Sequence, residues 1–155
     1  MNTKFDADVL VVGLGPVGAA LTTLLAKHGV RVTVIDKSRT IFEAPRAIAL
    51  DNEALRILQM CGIQETDIDT VAIPEVRMHS PLFGQYSRAV TCGQIDGHPK
   101  LVTFFQPQLE RVLRTRIEAH PCVTTILGVE LTSYEEKGDH VIARIVGVDR
   151  KGRPE

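Results

Sequence analysis

Residues 9–38 read VLVVGLGPVGAALTTLLAKHGVRVTVIDKS and decide the fold. An apolar, β-branched run leads into three glycines and a helix-like stretch, and a second β-branched run then ends in an acid. This order predicts a βαβ unit over residues 8–36, with a right-handed crossover. Because residues 8–12 show almost no polar alternation, we expect this first strand to be buried on both faces, as in a parallel sheet.

The helix of this unit has recognisable ends and an apolar stripe. Pro16 suits the first turn, where its missing N–H costs nothing, and Gly29 suits the position just past the last turn. Large apolar residues recur at helical spacing and predict the buried face. They are Val17, Leu21, Leu24 and Leu25.

The three glycines between strand and helix match the pattern G-x-G-x-x-G. Gly13 allows a tight turn, Gly15 lets the backbone approach a pyrophosphate, and Gly18 lets the helix pack closely on the strand. The N–H groups at the helix start, just after Pro16, and the positive end of the helix dipole favour phosphate. Gly13, Gly15, Pro16 and Gly18 are therefore candidate cofactor-binding residues.

The acid at the end of the second strand narrows the choice of dinucleotide. Asp36 lies 23 residues after Gly13, close to the spacing of about 20 residues for a ribose-binding carboxylate. A carboxylate accepts hydrogen bonds from ribose hydroxyls but repels a 2′-phosphate, so NADP is disfavoured. Lys37 and Arg39 could offset part of that repulsion. These residues alone leave NAD and FAD open.

Composition and length are those of a soluble globular domain. The chain has 155 residues, 44% hydrophobic and 24% charged, with a formal net charge of -1, which excludes the basic balance of a nucleic-acid-binding protein. Its three cysteines are isolated, which favours a reducing cytoplasm, and its five histidines show no metal-binding spacing. The uncharged run over residues 9–26 is broken by glycine and proline, so we expect no membrane span and no signal peptide.

The rest of the chain alternates helices with short strands. Asp51 can cap a helix near residues 51–61, and a further helix is predicted near residues 107–119. A period-two pattern around residues 137–139 predicts a hairpin over residues 129–148. The remaining predicted strands cover residues 71–73, 76–79, 86–92, 101–105 and 122–127.

Three segments together carry a family resemblance. They are GLGPVG at residues 13–18, PRAIALDNEALRILQMCGI at residues 45–63 and FFQPQLERVLRTRI at residues 104–117. In this order and spacing, the chain resembles the N-terminal part of the class A flavoprotein aromatic monooxygenases, the family of p-hydroxybenzoate hydroxylase and phenol hydroxylase. Within that family it is most similar to the 3-(3-hydroxyphenyl)propionate hydroxylases.

The resemblance implies FAD as the cofactor and assigns residues to it. The three glycines would hold the FAD pyrophosphate, and Asp36, where the family usually has Glu, would bind the adenosine ribose. Arg46 matches an arginine that contacts FAD, and its fork of donors suits a diphosphate. Gln106 matches a glutamine near the ribityl and phosphate region. Read without the family, Arg46 would be a surface ion pair and Gln106 a helix cap.

The resemblance also implies an activity for the parent enzyme and a part of that enzyme to which this chain corresponds. The parent enzyme would use NAD(P)H and O2 to hydroxylate a small phenolic substrate in the cytoplasm. Because the family is much longer, we expect an inactive N-terminal fragment without the substrate domain, and no catalytic residue is identified in this segment. The expected fold is α/β, a Rossmann-like FAD-binding domain with a parallel sheet and a β-hairpin appendage. An incomplete sheet would have an open edge, which favours association such as a homodimer.

Two other functions are compatible with the glycine pattern. The chain could be the Rossmann domain of an NAD-dependent dehydrogenase, or a dinucleotide-binding remnant without catalysis. The substituents of the substrate ring, the preference for NADH or NADPH and the oligomeric state are not determined by these residues.

Overall fold

The structure is a computed structural model that describes residues 5–44 and 46–149. It contains two compact units: the first falls within residues 1–42 and 113–155, and the second within residues 43–112. No helix in the described ranges is both long enough and apolar enough to cross a membrane.

The described residues form twelve strands and three α-helices. In chain order they are β1 (Val9–Val12), α1 (Pro16–Lys27), β2 (Val32–Asp36), β3 (Ala49–Asp51), α2 (Asn52–Met60), β4 (Thr70–Ala72), β5 (Glu75–Ser80), β6 (Gly84–Val90), β7 (Gln94–Ile95), β8 (His98–Pro99), β9 (Leu101–Phe104), α3 (Gln106–Glu118), β10 (Val123–Leu127), β11 (Val129–Glu136) and β12 (Val141–Gly147).

The first unit contains the predicted parallel sheet and the predicted hairpin. Its three-stranded sheet has the order β1-β2-β10, and both neighbours run parallel to β2, with Val32 opposite Val9 on one side and Val123 on the other. Strand β2 supplies the core with Val32, Val34 and Ile35, all fully buried. Strands β11 and β12 pair antiparallel. The βαβ unit and the hairpin are therefore confirmed.

Strand β1 differs from its prediction because it lies at an edge of this sheet. Among the described strands it pairs only with β2. Val11 is buried, whereas Leu10 and Val12 are exposed, Val12 by 56%. The prediction of a strand buried on both faces is wrong for this structure. An apolar sequence shows that a strand can be buried, but it does not show which neighbouring elements cover it.

Helix α1 packs mainly through its small residues. Val17 is 83% exposed and Leu21 is also exposed, whereas Leu24 and Leu25 are half-buried, so the predicted apolar stripe is wrong in its first two residues. The buried residues lie at i, i+3, i+4 and i+7; they are Ala19, Thr22, Thr23 and Ala26. Small side chains on this face allow a close approach of helix and sheet, which the larger residues would prevent.

The second unit is built around the antiparallel sheet β3-β9-β4 and helix α2. Asp51 ends β3 and also caps α2, since its Oδ1 accepts a hydrogen bond from the N–H of Ala54 at 2.8 Å. The predicted cap and helix are confirmed, and so are the short strands between residues 63 and 104. Strand β3 and the small β7–β8 pair were missed, because two or three residues carry no periodicity. Helix α3 begins in this unit and ends in the first.

The starts of β1 and β2 are joined by one exposed ion pair. Asp8 accepts hydrogen bonds from the Arg31 guanidinium at 2.7 Å and from the Arg31 N–H at 3.1 Å. The Arg31 side chain holds the pKa of the Asp8 carboxyl below its usual value. The resulting stabilisation is therefore present above the unfolded pKa, about 3.9, and is lost as the pH falls through the folded pKa.

We expect Asp8→Asn to lower the thermal unfolding midpoint slightly at neutral pH, because exposed ion pairs contribute little. Thermal melts monitored by circular dichroism across the acidic range would show the difference shrinking as Asp8 becomes protonated in the wild type. Glu136→Gln, at an exposed position at the end of β11, is the control. A difference independent of pH would contradict the role given to the Asp8 charge.

Candidate dinucleotide-binding site

The loop between β1 and α1 turns at Gly13. Its φ of +102° lies in the left-handed region, which side chains disfavour. The Gly13 N–H donates to the carbonyl oxygen of Ile35 at 2.8 Å, so the turn is fixed to the neighbouring strand β2. The loop therefore leaves the sheet at a defined point, next to the end of β2.

Gly18 is required by a close backbone contact. A Cβ atom placed on Gly18 would lie 1.9 Å from the carbonyl oxygen of Gly13, far inside any real contact. This contact sets the distance between the first turn of α1 and the end of β1. The predicted role of Gly18, close packing of helix on strand, agrees with this geometry.

Gly15 has the opposite environment, because a Cβ atom there would meet nothing within 4 Å. Gly15 is the N-cap of α1, no side chain caps this helix, and its first turn contains Pro16 but no acid. The start of an α-helix leaves backbone N–H groups that no intrahelical carbonyl satisfies. An open backbone beside such a helix start, without a repelling carboxylate in its first turn, fits the phosphates of a dinucleotide.

Asp36 lies at the end of β2 and binds the glycine loop directly. Its Oδ2 accepts a hydrogen bond from the N–H of Leu14 at 2.6 Å, and its Oδ1 accepts one from the N–H of Ser38 at 2.7 Å. A carboxylate has about four acceptor positions, so two remain for ribose hydroxyls. Asp36 thus orders the loop and is placed beside it with acceptor capacity left.

Arg114, on α3, is a part of this site that the sequence did not reveal. Its Nη2 donates to the carbonyl oxygen of Leu14 at 3.3 Å. Since the N–H of Leu14 donates to Asp36, both backbone polar groups of this buried residue are held by charged side chains. The only sequence signal was that Arg114 falls within the third of the three family-like segments, and its residue type alone indicates nothing.

Arg39, one of the two basic residues that follow Asp36 closely in sequence, has a defined contact in the structure. Its Nη2 donates to the carbonyl oxygen of Val148 at 3.1 Å. Its guanidinium covers the backbone of Gly128, where a Cβ atom would lie 2.5 Å from the Arg39 Cζ. Arg39 therefore packs against the base of the β11–β12 hairpin.

In the second unit, Gln106 holds the segment that contains Arg46. Gln106 is the first residue of α3 and is only 4% exposed. Its Oε1 accepts hydrogen bonds from the N–H groups of Arg46 at 3.1 Å and Ala47 at 3.0 Å. Its Nε2 donates to Oε1 of Glu110, a second buried residue, at 2.8 Å. The side-chain amide oxygen of Gln106 therefore binds a segment that is distant in sequence. A helix cap would instead bind the first turn of its own helix.

The structure thus distributes the seven predicted site residues over its two units. Gly13, Gly15, Pro16, Gly18 and Asp36 come together in the first unit, around the start of α1. Gln106 and the backbone of Arg46 come together in the second, where the Arg46 residue is exposed. Pro45 lies outside the described residues.

Residues 6–154 match the family model described as an FAD binding domain. The chain is 35% identical over 138 residues to 3-(3-hydroxy-phenyl)propionate/3-hydroxycinnamic acid hydroxylase 1 of Burkholderia vietnamiensis (strain G4 / LMG 22486), covering 87% of this chain and 22% of that protein. It is 32% identical over 146 residues to the corresponding hydroxylase of Comamonas testosteroni, covering 93% of this chain and 25% of that protein. The chain thus spans about a quarter of the length of these relatives.

Solved structures share the fold. The p-nitrophenol 4-monooxygenase PnpA from Pseudomonas putida DLL-E4 superposes with a TM-score of 0.76 at 22% identity, over 89% of this chain and 36% of that one. Aklavinone-11 hydroxylase, in a ternary complex with FAD and aklavinone, superposes with a TM-score of 0.72 at 22% identity, over 95% of this chain and 30% of that one. At this identity the likeness establishes the Rossmann-like α/β fold.

We expect Gly18→Ala to destabilise the full-length protein by about 3 kcal/mol or more, because the added methyl overlaps the Gly13 carbonyl and backbone must move. Urea denaturation followed by circular dichroism measures the change. Gly15→Ala is the matched control, since its methyl meets no protein atom and should change stability by about 1 kcal/mol or less.

The same pair of variants separates folding from binding. Gly15→Ala should fold normally yet bind the dinucleotide more weakly, because its methyl occupies the space through which a phosphate approaches the backbone. Cofactor titration by fluorescence measures this. Unchanged affinity in Gly15→Ala, or normal stability in Gly18→Ala, would contradict the geometry assigned to the loop.

Proposed function

We propose that this chain, which belongs to the FAD-binding domain family, forms the FAD-binding part of a flavin-dependent monooxygenase that hydroxylates a phenolic compound. The observation that carries the proposal is the loop at Gly15: an open backbone before an uncapped helix start, with a carboxylate at the end of the next strand. Kinship with curated aromatic hydroxylases supports the choice of reaction.

The residues of the glycine loop receive specific roles in this proposal. The backbone at Gly13 and Gly15 and the first turn of α1 hold the FAD pyrophosphate, while Gly18 keeps the helix close to the strand. Asp36 accepts hydrogen bonds from the adenosine ribose with the lone pairs that Leu14 and Ser38 leave open. A carboxylate at this position also selects against a 2′-phosphate.

The second unit contributes Arg46 and Gln106. We assign the Arg46 guanidinium to the FAD diphosphate, because its fixed charge and planar set of donors suit phosphate oxygens. Gln106 acts on the backbone of Arg46 and Ala47, to which its Oε1 is bonded. Its contribution to cofactor binding is to hold the segment that carries Arg46.

The proposed reaction uses one phenol, one O2 and one NAD(P)H with a proton, and yields the hydroxylated phenol, water and NAD(P)+. When bound, FAD supplies the transfer of electrons from NAD(P)H to O2, and the protein binds, orients and excludes water. The names of the relatives suggest 3-hydroxyphenyl-propanoid acids as the substrate class. The need for NAD(P)H and the presence of the three cysteines as thiols support action in the cytoplasm.

The purified full-length protein should be yellow, and denaturation should release FAD. It should consume NAD(P)H and O2 in the presence of 3-(3-hydroxyphenyl)propionate, with a product that contains one additional oxygen atom by mass spectrometry. The same acid without the ring hydroxyl is the control substrate, since the reaction requires an activated ring. A colourless protein that binds NAD and does not bind FAD would overturn the proposal in favour of a dehydrogenase domain.

Replacing Arg46 with Ala should weaken FAD binding roughly ten- to a hundredfold, the loss expected of a charged hydrogen-bonding group worth about 1.5–3 kcal/mol. Arg56→Ala is the matched control, because Arg56 is an exposed arginine paired with Glu53 on α2. Equilibrium titration of the apoprotein with FAD gives both dissociation constants. Equal affinity in the two variants would remove Arg46 from the site.

A further inference from the structure

Glu110 is a buried acid that the proposed cofactor site has not yet explained. It lies one turn after Gln106 on α3 and is only 4% exposed. Its Oε1 accepts a hydrogen bond from the Gln106 Nε2 at 2.8 Å, in a buried environment. Removing a carboxylate from water is expensive, and residues of this type are rarely buried without a specific partner.

The hydrogen bond accepted by Glu110 determines the orientation of the Gln106 side-chain amide. An amide group presents an acceptor on one side and a donor on the other, and the two ends are nearly equal in shape. Oε1 of Glu110 accepts, and the NH2 group of Gln106 is the side that faces it. The carbonyl oxygen is then turned toward the N–H groups of Arg46 and Ala47, which only donate.

The series of hydrogen bonds from Arg46 through Gln106 to Glu110 therefore has one fixed donor-to-acceptor direction. With the amide reversed, the NH2 group would face two N–H donors, and three hydrogen bonds, one buried and two part-buried, would be lost at once. Each unsatisfied buried group costs about 1–3 kcal/mol. The segment before β3 is irregular and exposed at Arg46 and Ala47, and these two hydrogen bonds fix its backbone to a buried residue.

We propose that Glu110 is a positioning residue for cofactor binding: it orients Gln106, which holds the Arg46–Ala47 backbone and so places the Arg46 guanidinium for the FAD diphosphate. The inference rests on the proposed function, in that Arg46 must bind FAD. Glu110 itself touches no cofactor in this account. Its effect on affinity must therefore pass through Arg46.

The decisive experiment is a double-mutant cycle on the apoprotein of the full-length protein, titrated with FAD. Glu110→Leu removes the acceptor with little change in volume, and should weaken FAD binding roughly tenfold when Arg46 is present. In the Arg46→Ala background the same change should weaken binding by about twofold or less, because coupled residues are not additive. A loss that is equal in both backgrounds would overturn the proposal, since a general defect of the fold would explain it.

An exchange of the two side chains gives a second test that does not depend on Glu110→Leu folding. Gln106→Glu places two carboxylates against each other and should weaken FAD binding roughly tenfold or more. The double variant Gln106→Glu with Glu110→Gln restores a donor between them, so affinity should return to within about threefold of the wild type. No recovery in the double variant would overturn the proposal.

The controls separate this inference from the function on which it rests. If the wild-type protein fails to bind FAD, the proposed function fails. If FAD binds but Arg46→Ala does not change its affinity, the assignment of Arg46 is wrong. The inference about Glu110 is then also wrong, because Glu110 acts on the cofactor only through Arg46. If Arg46→Ala weakens binding while the exchange variants behave as the wild type, the Glu110 inference alone is wrong.

Discussion

The contact between Gly18 and the carbonyl of Gly13 is the constraint on which the rest of the first unit depends. Because no side chain fits between them, the first turn of α1 meets the end of β1 backbone to backbone. This explains why α1 buries alanines and threonines and leaves Val17 in solvent. It also explains why the start of the helix lies directly beside the loop, where its N–H groups can meet an anionic ligand.

Charged side chains hold the glycine loop at a single residue, Leu14. Asp36 accepts from the N–H of Leu14 and Arg114 donates to its carbonyl, so a carboxylate and a guanidinium bind two successive peptide groups of the loop. Gly13 is tied to β2 by a third hydrogen bond. A loop fixed in this way presents its backbone without rearrangement, and preorganisation of this kind reduces the entropy lost on binding.

The features that the sequence predicted are those set by local chemistry. Pro16 and Gly29 mark the ends of α1, Asp51 caps α2, and the turn around Gly138 joins two strands, all through interactions within a few residues. Apart from the strands β3, β7 and β8, which are too short to show a periodicity, the errors concern partners far along the chain. The edge position of β1 depends on which strands flank it, and Gln106 bonds residues 59 and 60 positions away. The side chain of Arg114 reaches Leu14 across 100 residues, and no periodicity records such a contact.

The central claim is that the backbone at Gly15 and the start of α1 bind the pyrophosphate of FAD. A crystal structure of the full-length protein grown with FAD tests it most directly. The account predicts pyrophosphate oxygens within hydrogen-bond distance of the N–H groups that follow Gly15, and an adenosine ribose on the carboxylate of Asp36. FAD bound elsewhere, with the glycine loop empty and Asp36 in contact only with Leu14 and Ser38, would contradict it.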